Sequence, residues 1–192
     1  MVSKNIAKIL HELQTGKSER NRQRCLYGDQ NGNGKISECW KYLIDAPFKV
    51  SDKCCEVMKK RPAKQYEKKT GRIPLIGILA EDSRLRQTEY LLNGGCNMFD
   101  GNRPKSEPLA FWTKADIWAY IRRYNLLYSK AYDMGYTGTG CMFCAFGVQR
   151  ERSDLFEKNR FELMKMTHPK QYNFCMEKLG MDEVLSYINI NH

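Results

Sequence analysis

Residues 108–144 read PLAFWTKADIWAYIRRYNLLYSKAYDMGYTGTGCMFC, and this stretch decides how the rest of the chain is read. Thr113 with Asp116 has the form of a capping box, which predicts a helix over 114–124. Ile117, Tyr120 and Ile121 form the apolar face of that helix. Beyond it the chain turns polar and glycine-rich through Gly135, Gly138 and Gly140, and it ends in Cys141-Met142-Phe143-Cys144. A CxxC pair offers two thiols from one tight turn, half of a tetrahedral metal site.

The other half is upstream, in the adjacent pair Cys54-Cys55. A tandem pair and a remote CxxC together supply four thiolates from two segments. Zinc takes four-cysteine sites, and so does a [4Fe-4S] cluster. Side chains of adjacent residues diverge, so a tandem pair chelates a single ion poorly, whereas two irons of a cubane can each take one. Spacing alone leaves structural zinc, a redox dithiol and a pair of buried thiols open beside the cluster.

The chain has 192 residues, enough for one domain with a core, and its apolar fraction of 42% is ordinary for a globular protein. No apolar run is long enough to span a membrane, and the first residues carry no apolar signal-peptide core. Eight cysteines in a chain of this size read as ligands rather than as a disulfide framework, so a reducing cytoplasm is expected. The formal net charge of +10 favours anionic partners, among them nucleotides, sulfate or phosphate esters and nucleic acid. The cations are spread along the chain, which fits a solvated basic surface as well.

Outward from the central stretch, Asn5 to Leu13 reads as an amphipathic helix and Gly16 to Arg24 as an exposed loop. Asp29 to Ser37 resembles the front of a calcium loop, but its twelfth position is Trp40 instead of glutamate, so a Gly/Asn turn is expected there. Ile36 to Ile44 reads as a short helix. Ser51-Asp52 offers an N-cap for a helix carrying Cys54, Cys55 and Met58, interrupted or restarted at Pro62. Ile73 to Ala80, IPLIGILA, reads as a buried strand. A helix over Arg84 to Asn93 closes at Gly94-Gly95, and a short strand is expected over Cys96 to Phe99. Helices are expected over 153–166, 168–179 and 182–188. The outcome is a helix-rich α/β chain, one unit over 1–192, with few strands of its own.

The window from Pro108 resembles the phosphoadenosine phosphosulfate reductase family of sulfonucleotide enzymes. The residues that carry the resemblance are Pro108, Trp112, Thr113, Asp116, Trp118, Tyr132, Gly135, Tyr136, Gly140, Cys141 and Cys144. Upstream, Cys54-Cys55 with Lys59 and Pro62 looks like the family's CC-x-x-x-K-x-x-P segment, and EDSRLRQT resembles its Arg-rich segment, with Arg84, Gln87 and Thr88 matching best. The resemblance implies the C-terminal part of an adenine-nucleotide alpha-hydrolase-like, Rossmann-like α/β domain with a small incomplete sheet. It implies an oxidoreductase or transferase acting on an adenylyl sulfate-type nucleotide. In the branch with both cysteine pairs it implies a [4Fe-4S] cluster on Cys54, Cys55, Cys141 and Cys144. Lys59, Arg84 and Arg86 are the expected contacts to the anionic substrate, since a guanidinium grips sulfate or phosphate through two parallel N–H bonds. Lys53, Lys60 and Arg61 would help neutralise the cluster.

The sequence departs from the family pattern in two places. No Ser-Gly-Gly-x-Asp-Ser phosphate loop occurs, and Gly32-Asn-Gly34, Gly94-Gly95 and Gly138-Thr-Gly140 do not follow an apolar strand into a helix. A fragment, a split gene product or a reduced homologue is therefore expected, with self-association or a partner chain covering open strand edges. The family's Glu-Cys-Gly-x-His tail is also missing. Cys175 sits in a helical stretch without a cationic neighbour and reads as a buried thiol. Cys25, Cys39 and Cys96 lack a motif, His11 has no ligand partner in sequence, and His168 before Pro169 reads as a helix junction. The competing reading is a non-catalytic module stapled by a cluster or zinc, binding nucleic acid or a protein and belonging to a nucleic-acid thiolation system.

Overall fold

A computed structural model describes residues 3–92, 95–100 and 103–192. In chain order the helices are α1 (Lys4–Thr15), α2 (Glu19–Tyr27), α3 (Lys53–Cys55), α4 (Arg61–Thr70), α5 (Arg84–Leu92), α6 (Lys114–Tyr124), α7 (Arg160–Thr167), α8 (Pro169–Asn173) and α9 (Met181–Tyr187). Strands β1 (Asn97–Met98) and β2 (Lys105–Ser106) pair antiparallel, with Asn97 opposite Ser106 and Met98 opposite Lys105. Wider π turns at Glu56–Lys60 and Phe174–Lys178 continue α3 into α4 and α8 toward α9. The described chain divides into two compact units, one holding Cys55–Tyr128 and the other the segments on either side of it. No helix of the described residues is long and apolar enough to cross a membrane.

The flanking unit holds nearly all of the buried apolar side chains. One cluster gathers Ala7, Leu10 and Leu13 from α1 with Ile36, Leu43, Ala46 and Val50. Gln14 ties this region together: its Nε2 donates to the carbonyls of Leu43 (2.9 Å) and Phe48 (3.1 Å), and its Oε1 accepts from Val50 N (2.8 Å). A second cluster gathers Ala145, Val148, Phe161, Met164, Cys175, Met176 and Leu185. The unit Cys55–Tyr128 is built differently. Among its described apolar side chains only Leu79 and Ala110 are buried, while Leu75, Leu85 and Leu127 stand largely in solvent.

Several expectations hold. The helix at 114–124 has the expected bounds and both halves of its capping box. Asp29 Oδ1 accepts from the backbone N–H of Asn31 (2.9 Å) and Asn33 (2.8 Å), the turn expected in place of a calcium loop. Residues 38–45 wind as a 3-10 helix, and the short strand near Cys96 is β1. The expected helix stop at Gly94 lies outside the described residues.

Three expectations are corrected. Gly16 to Arg24 is no loop: α2 begins at Glu19, with Ser18 Oγ accepting from Asn21 N at 3.4 Å. Its polar sequence hides the partly buried Cys25 and Leu26, which pack on the first cluster. The run Ile73–Ala80 is extended but is not a buried strand. It touches β2 through a single parallel bridge, with Ile76 N donating to Ser106 O (2.8 Å) and Ser106 N to Pro74 O (3.0 Å). Ile73 and Leu75 face solvent, Leu75 at 77% exposure, and only Leu79 near the end of the run is buried. The helix expected from residue 153 starts only at Arg160, because Asn159 caps it and residues 154–156 form a turn.

Stability should follow this asymmetry. Leu10→Ala, which empties a fully buried position, should cost about 2–5 kcal/mol, whereas Leu127→Ala should cost roughly nothing. Urea unfolding of both variants checks it, and a large loss for Leu127→Ala would contradict the exposed face.

Candidate functional site

The cysteines of the CxxC motif sit in a turn closed by Cys144 N donating to Cys141 O at 3.0 Å. Met142 and Phe143 between them pack partly buried on the second cluster, and Phe143 meets Phe174 with ring centroids 6.2 Å apart. Their burial turns Cys141 outward to solvent and leaves Cys144 half-buried. The preceding loop is pinned at two of the residues on which the resemblance rests. Gly135 has φ +90°, and a Cβ there would lie 2.8 Å from Phe156 Cδ2 and Ser153 Oγ, so only glycine fits. Tyr136 reaches α7 through a 2.9 Å bond between its hydroxyl and Thr167 Oγ1.

Thr167 Oγ1 donates to Leu163 O at 2.7 Å and lies 2.9 Å from the Tyr136 hydroxyl and 2.8 Å from Nδ1 of His168. With Tyr136, Thr139, Cys141, Glu151 and Arg160, His168 lines an open groove of about 210 Å³.

Arg160, which the spacing of the cysteines did not reveal, backs the turn. Its Nε donates to Glu151 Oε2 at 2.5 Å, and its Nη1 donates to the carbonyls of Cys141 (3.3 Å) and Cys144 (3.1 Å). A signal was available: Asn159-x-x-Glu162 is a capping box, which puts Arg160 at the first helical position.

The tandem pair lies at the end of α3, with Cys54 exposed and Cys55 half-buried. Ser51 Oγ accepts from Lys53 N at 3.1 Å, as expected of a helix start there. Lys59 is exposed on the following π turn, while Lys60 and Lys64 lean on Glu56 at 3.9 and 3.7 Å. Arg84 opens α5 in solvent, and Arg86 is ion-paired to Asp82 one turn earlier. The two members of each cysteine pair are neighbours. Among the described residues no group of three or more His, Cys, Asp or Glu side chains is placed to hold a metal ion. No disulfide links any of the eight cysteines, so the thiol donor set fits a four-thiolate group chemically.

Other titratable groups are structural. Burial pushes the Cys175 thiol up, away from the thiolate form a nucleophile needs. Burial opposes the charge of Lys105, but its contacts to Glu107 and Glu89, both 2.6 Å, outweigh that and hold its pKa above the ordinary value. The Thr113 backbone N–H (2.9 Å) and hydroxyl (2.8 Å) donate to Asp116 Oδ2 and hold that carboxyl below its usual range. Phe111 and Trp112, ahead of α6, and Tyr120, Arg123 and Tyr124 on it line an open groove of about 490 Å³.

The family model described as the phosphoadenosine phosphosulfate reductase domain matches residues 4–146. An adenosine 5'-phosphosulfate reductase of Anoxybacillus flavithermus is 36% identical over 94 residues, 48% of this chain and 38% of that protein. Adenosine 5'-phosphosulfate reductase 2 of Bacillus subtilis is 32% identical over 119 residues, 60% of this chain and 44% of that protein. An uncharacterised protein of Methanocaldococcus jannaschii is 27% identical over 151 residues, 75% of this chain and 34% of that protein. The chain thus spans less than half the length of each of these relatives. No solved structure matches.

The capping box on α6 gives a pH test. A depressed Asp116 pKa means stabilisation that is present above the ordinary carboxylate pKa and lost as pH falls through the folded-state value. Thr113→Ala should cost about 1 kcal/mol at neutral pH, and the gap from wild type should shrink on acidification. Urea midpoints at pH 7 and near pH 3 measure it; an undiminished gap in acid would contradict the shared bond.

Proposed function

The chain belongs to the phosphoadenosine phosphosulfate reductase domain family, and we propose that it works as an iron–sulfur protein in sulfur or sulfonate chemistry on an adenylyl sulfate-type nucleotide. The reading rests most on one observation: an outward Cys141 and a half-buried Cys144 are presented on a turn anchored by the partly buried Met142 and Phe143. Such a turn presents two thiolates to an ion without unfolding the core behind it. Cys54 and Cys55 are the proposed remaining ligands of a [4Fe-4S] group, with zinc as the competing occupant. A bound cubane would supply an electron-storing, electrostatically negative centre.

The proposed part of the protein residues is binding. Lys59 and Arg84 are exposed cations on the unit Cys55–Tyr128 and would meet sulfate or phosphate oxygens. Arg86 would have to exchange Asp82 for the anion, so its share of the affinity is the smaller. Cys175 is fully buried, so an attacking thiol would come from another segment or another chain. The names of the adenosine 5'-phosphosulfate reductases similar to this chain support the substrate class.

Anaerobic purification should give broad absorbance near ~400 nm with iron and sulfide each near roughly four per chain. Serine at Cys54, Cys55, Cys141 or Cys144 should reduce both. Stoichiometric zinc without sulfide would sink the cluster reading.

The α6 groove favours a second reading, a module that binds single-stranded nucleic acid. Tyr120 and Tyr124 lie 4.5 Å apart between ring centroids, and the Arg123 guanidinium is 5.6 Å from the Tyr124 ring, a surface on which bases can stack. This reading expects RNA or DNA affinity that weakens with salt and falls roughly tenfold or more in Tyr120→Ala. Salt-independent or absent binding in a filter or anisotropy titration would remove it.

A further inference from the structure

We propose that Arg160, held by Glu151, is a positioning residue that sets the geometry and charge of the Cys141–Cys144 turn. The proposal rests on reading this pair as ligands. One planar guanidinium joins three groups: Glu151 Oε2 through Nε, and the carbonyls of the first and last CxxC residues through Nη1. Arginine's donors are fixed in a plane, so its contacts limit how far those two carbonyls can move apart. A lysine ammonium carries the same charge but, as a single point donor on a flexible stem, does not fix all three acceptors about one plane as Nε and Nη1 do.

The position is electrostatically costly, which argues for a specific role. Arg160 is the first residue of α7, where the helix dipole disfavours a cation. Its side chain is only 20% exposed and that of Glu151 16%, so solvent does little to offset the cost. Helix capping does not require it either: Asn159 Oδ1 already accepts from Phe161 N (2.9 Å) and Glu162 N (3.2 Å), and Glu162 Oε2 accepts from Asn159 N (2.9 Å). What Arg160 gains is Glu151 and the cysteine turn. Its charge stands behind the backbone of the two cysteines and is balanced there by Glu151, so removing the guanidinium alone would leave a carboxylate that disfavours the more negative, reduced state of whatever they bind. In front, Cys141 lines the open groove, so an incoming ion has a path.

The test uses the full chain with Arg160→Gln, Arg160→Lys and Glu151→Gln. In reduced, metal-free protein, amide exchange over residues 140–147 should quicken about tenfold or more in Arg160→Gln and in Glu151→Gln. Peptides from α1, on the other buried cluster, should exchange as in wild type. After anaerobic reconstitution with iron(II) and sulfide, Arg160→Gln should show a lower midpoint potential and an altered EPR signal. Arg160→Lys should bring the potential back toward wild type while leaving the exchange fast, which separates charge from fork. Unchanged exchange and potential in Arg160→Gln would overturn the proposal, as would equal quickening over α1, the mark of a merely structural role. If Arg160→Gln does not fold, Arg160→Lys and Glu151→Gln decide the exchange comparison. If wild type takes up no iron, the ligand reading fails by itself, and the metal-free exchange still judges the clamp.

Discussion

Packing of the partly buried Met142 and Phe143 against the cluster around Phe161 is the constraint on which the candidate site depends. A CxxC turn in a free loop would sample many sulfur positions. Here its two middle residues are held by apolar contact, so the cysteines on either side can face only a small range of directions. The cluster needs α7 to start in the right place, and Asn159 secures that. This buried amide uses its oxygen on two helix N–H groups and donates its nitrogen to Asn191 O at 2.8 Å. The polar atoms of this buried side chain are thus matched, so its burial at the start of α7 carries no unpaired group.

The unit Cys55–Tyr128 is held by other means. With only Leu79 and Ala110 buried among its described apolar side chains, hydrophobic burial contributes little. Polar contacts carry more of the load. Lys105 sits between Glu107 and Glu89, Arg103 makes a two-pronged pair with Glu67 at 3.0 and 2.6 Å, and Glu81 accepts from Lys114 N at 2.5 Å. Of these, the Lys105–Glu107 contact matters most, because Glu107 is almost fully buried and would be costly to leave unpaired. The exposed pairs are screened and contribute about 0–1 kcal/mol each. Such a unit is easier to open than the one that flanks it.

What the sequence made legible follows how local each feature is. The α6 capping box depends on residues three apart, and both ends of that helix were read correctly. The turn at Asp29 is likewise a matter of one carboxylate and two nearby N–H groups. The polar stretch of α2 has the composition of a loop, and its helix is justified only by packing of Cys25 and Leu26 on distant residues. IPLIGILA carries the composition of a buried strand, but burial requires a second layer, and composition cannot say whether one is there. In the site, cysteine spacing was visible. The capping box places Arg160 at the start of α7, but its contact spans 16 and 19 residues to two backbone carbonyls, which no side-chain pattern marks.

The two kinds of cysteine in the flanking unit show how environment sorts one chemistry into two roles. Cys175 is sealed among Phe161, Met164 and Leu185, where a thiolate would lose its hydration and gain no cation in return. It therefore behaves as a small apolar side chain, and its retention of the proton strengthens the cluster that anchors the turn. Cys141 has the reverse setting: solvent in front, and a guanidinium bonded to its own carbonyl behind. The physical requirements for ligation or nucleophilicity, access and a nearby positive charge, coincide at Cys141 and are both missing at Cys175. A search for chemistry in this unit accordingly leads to the turn and away from the tail.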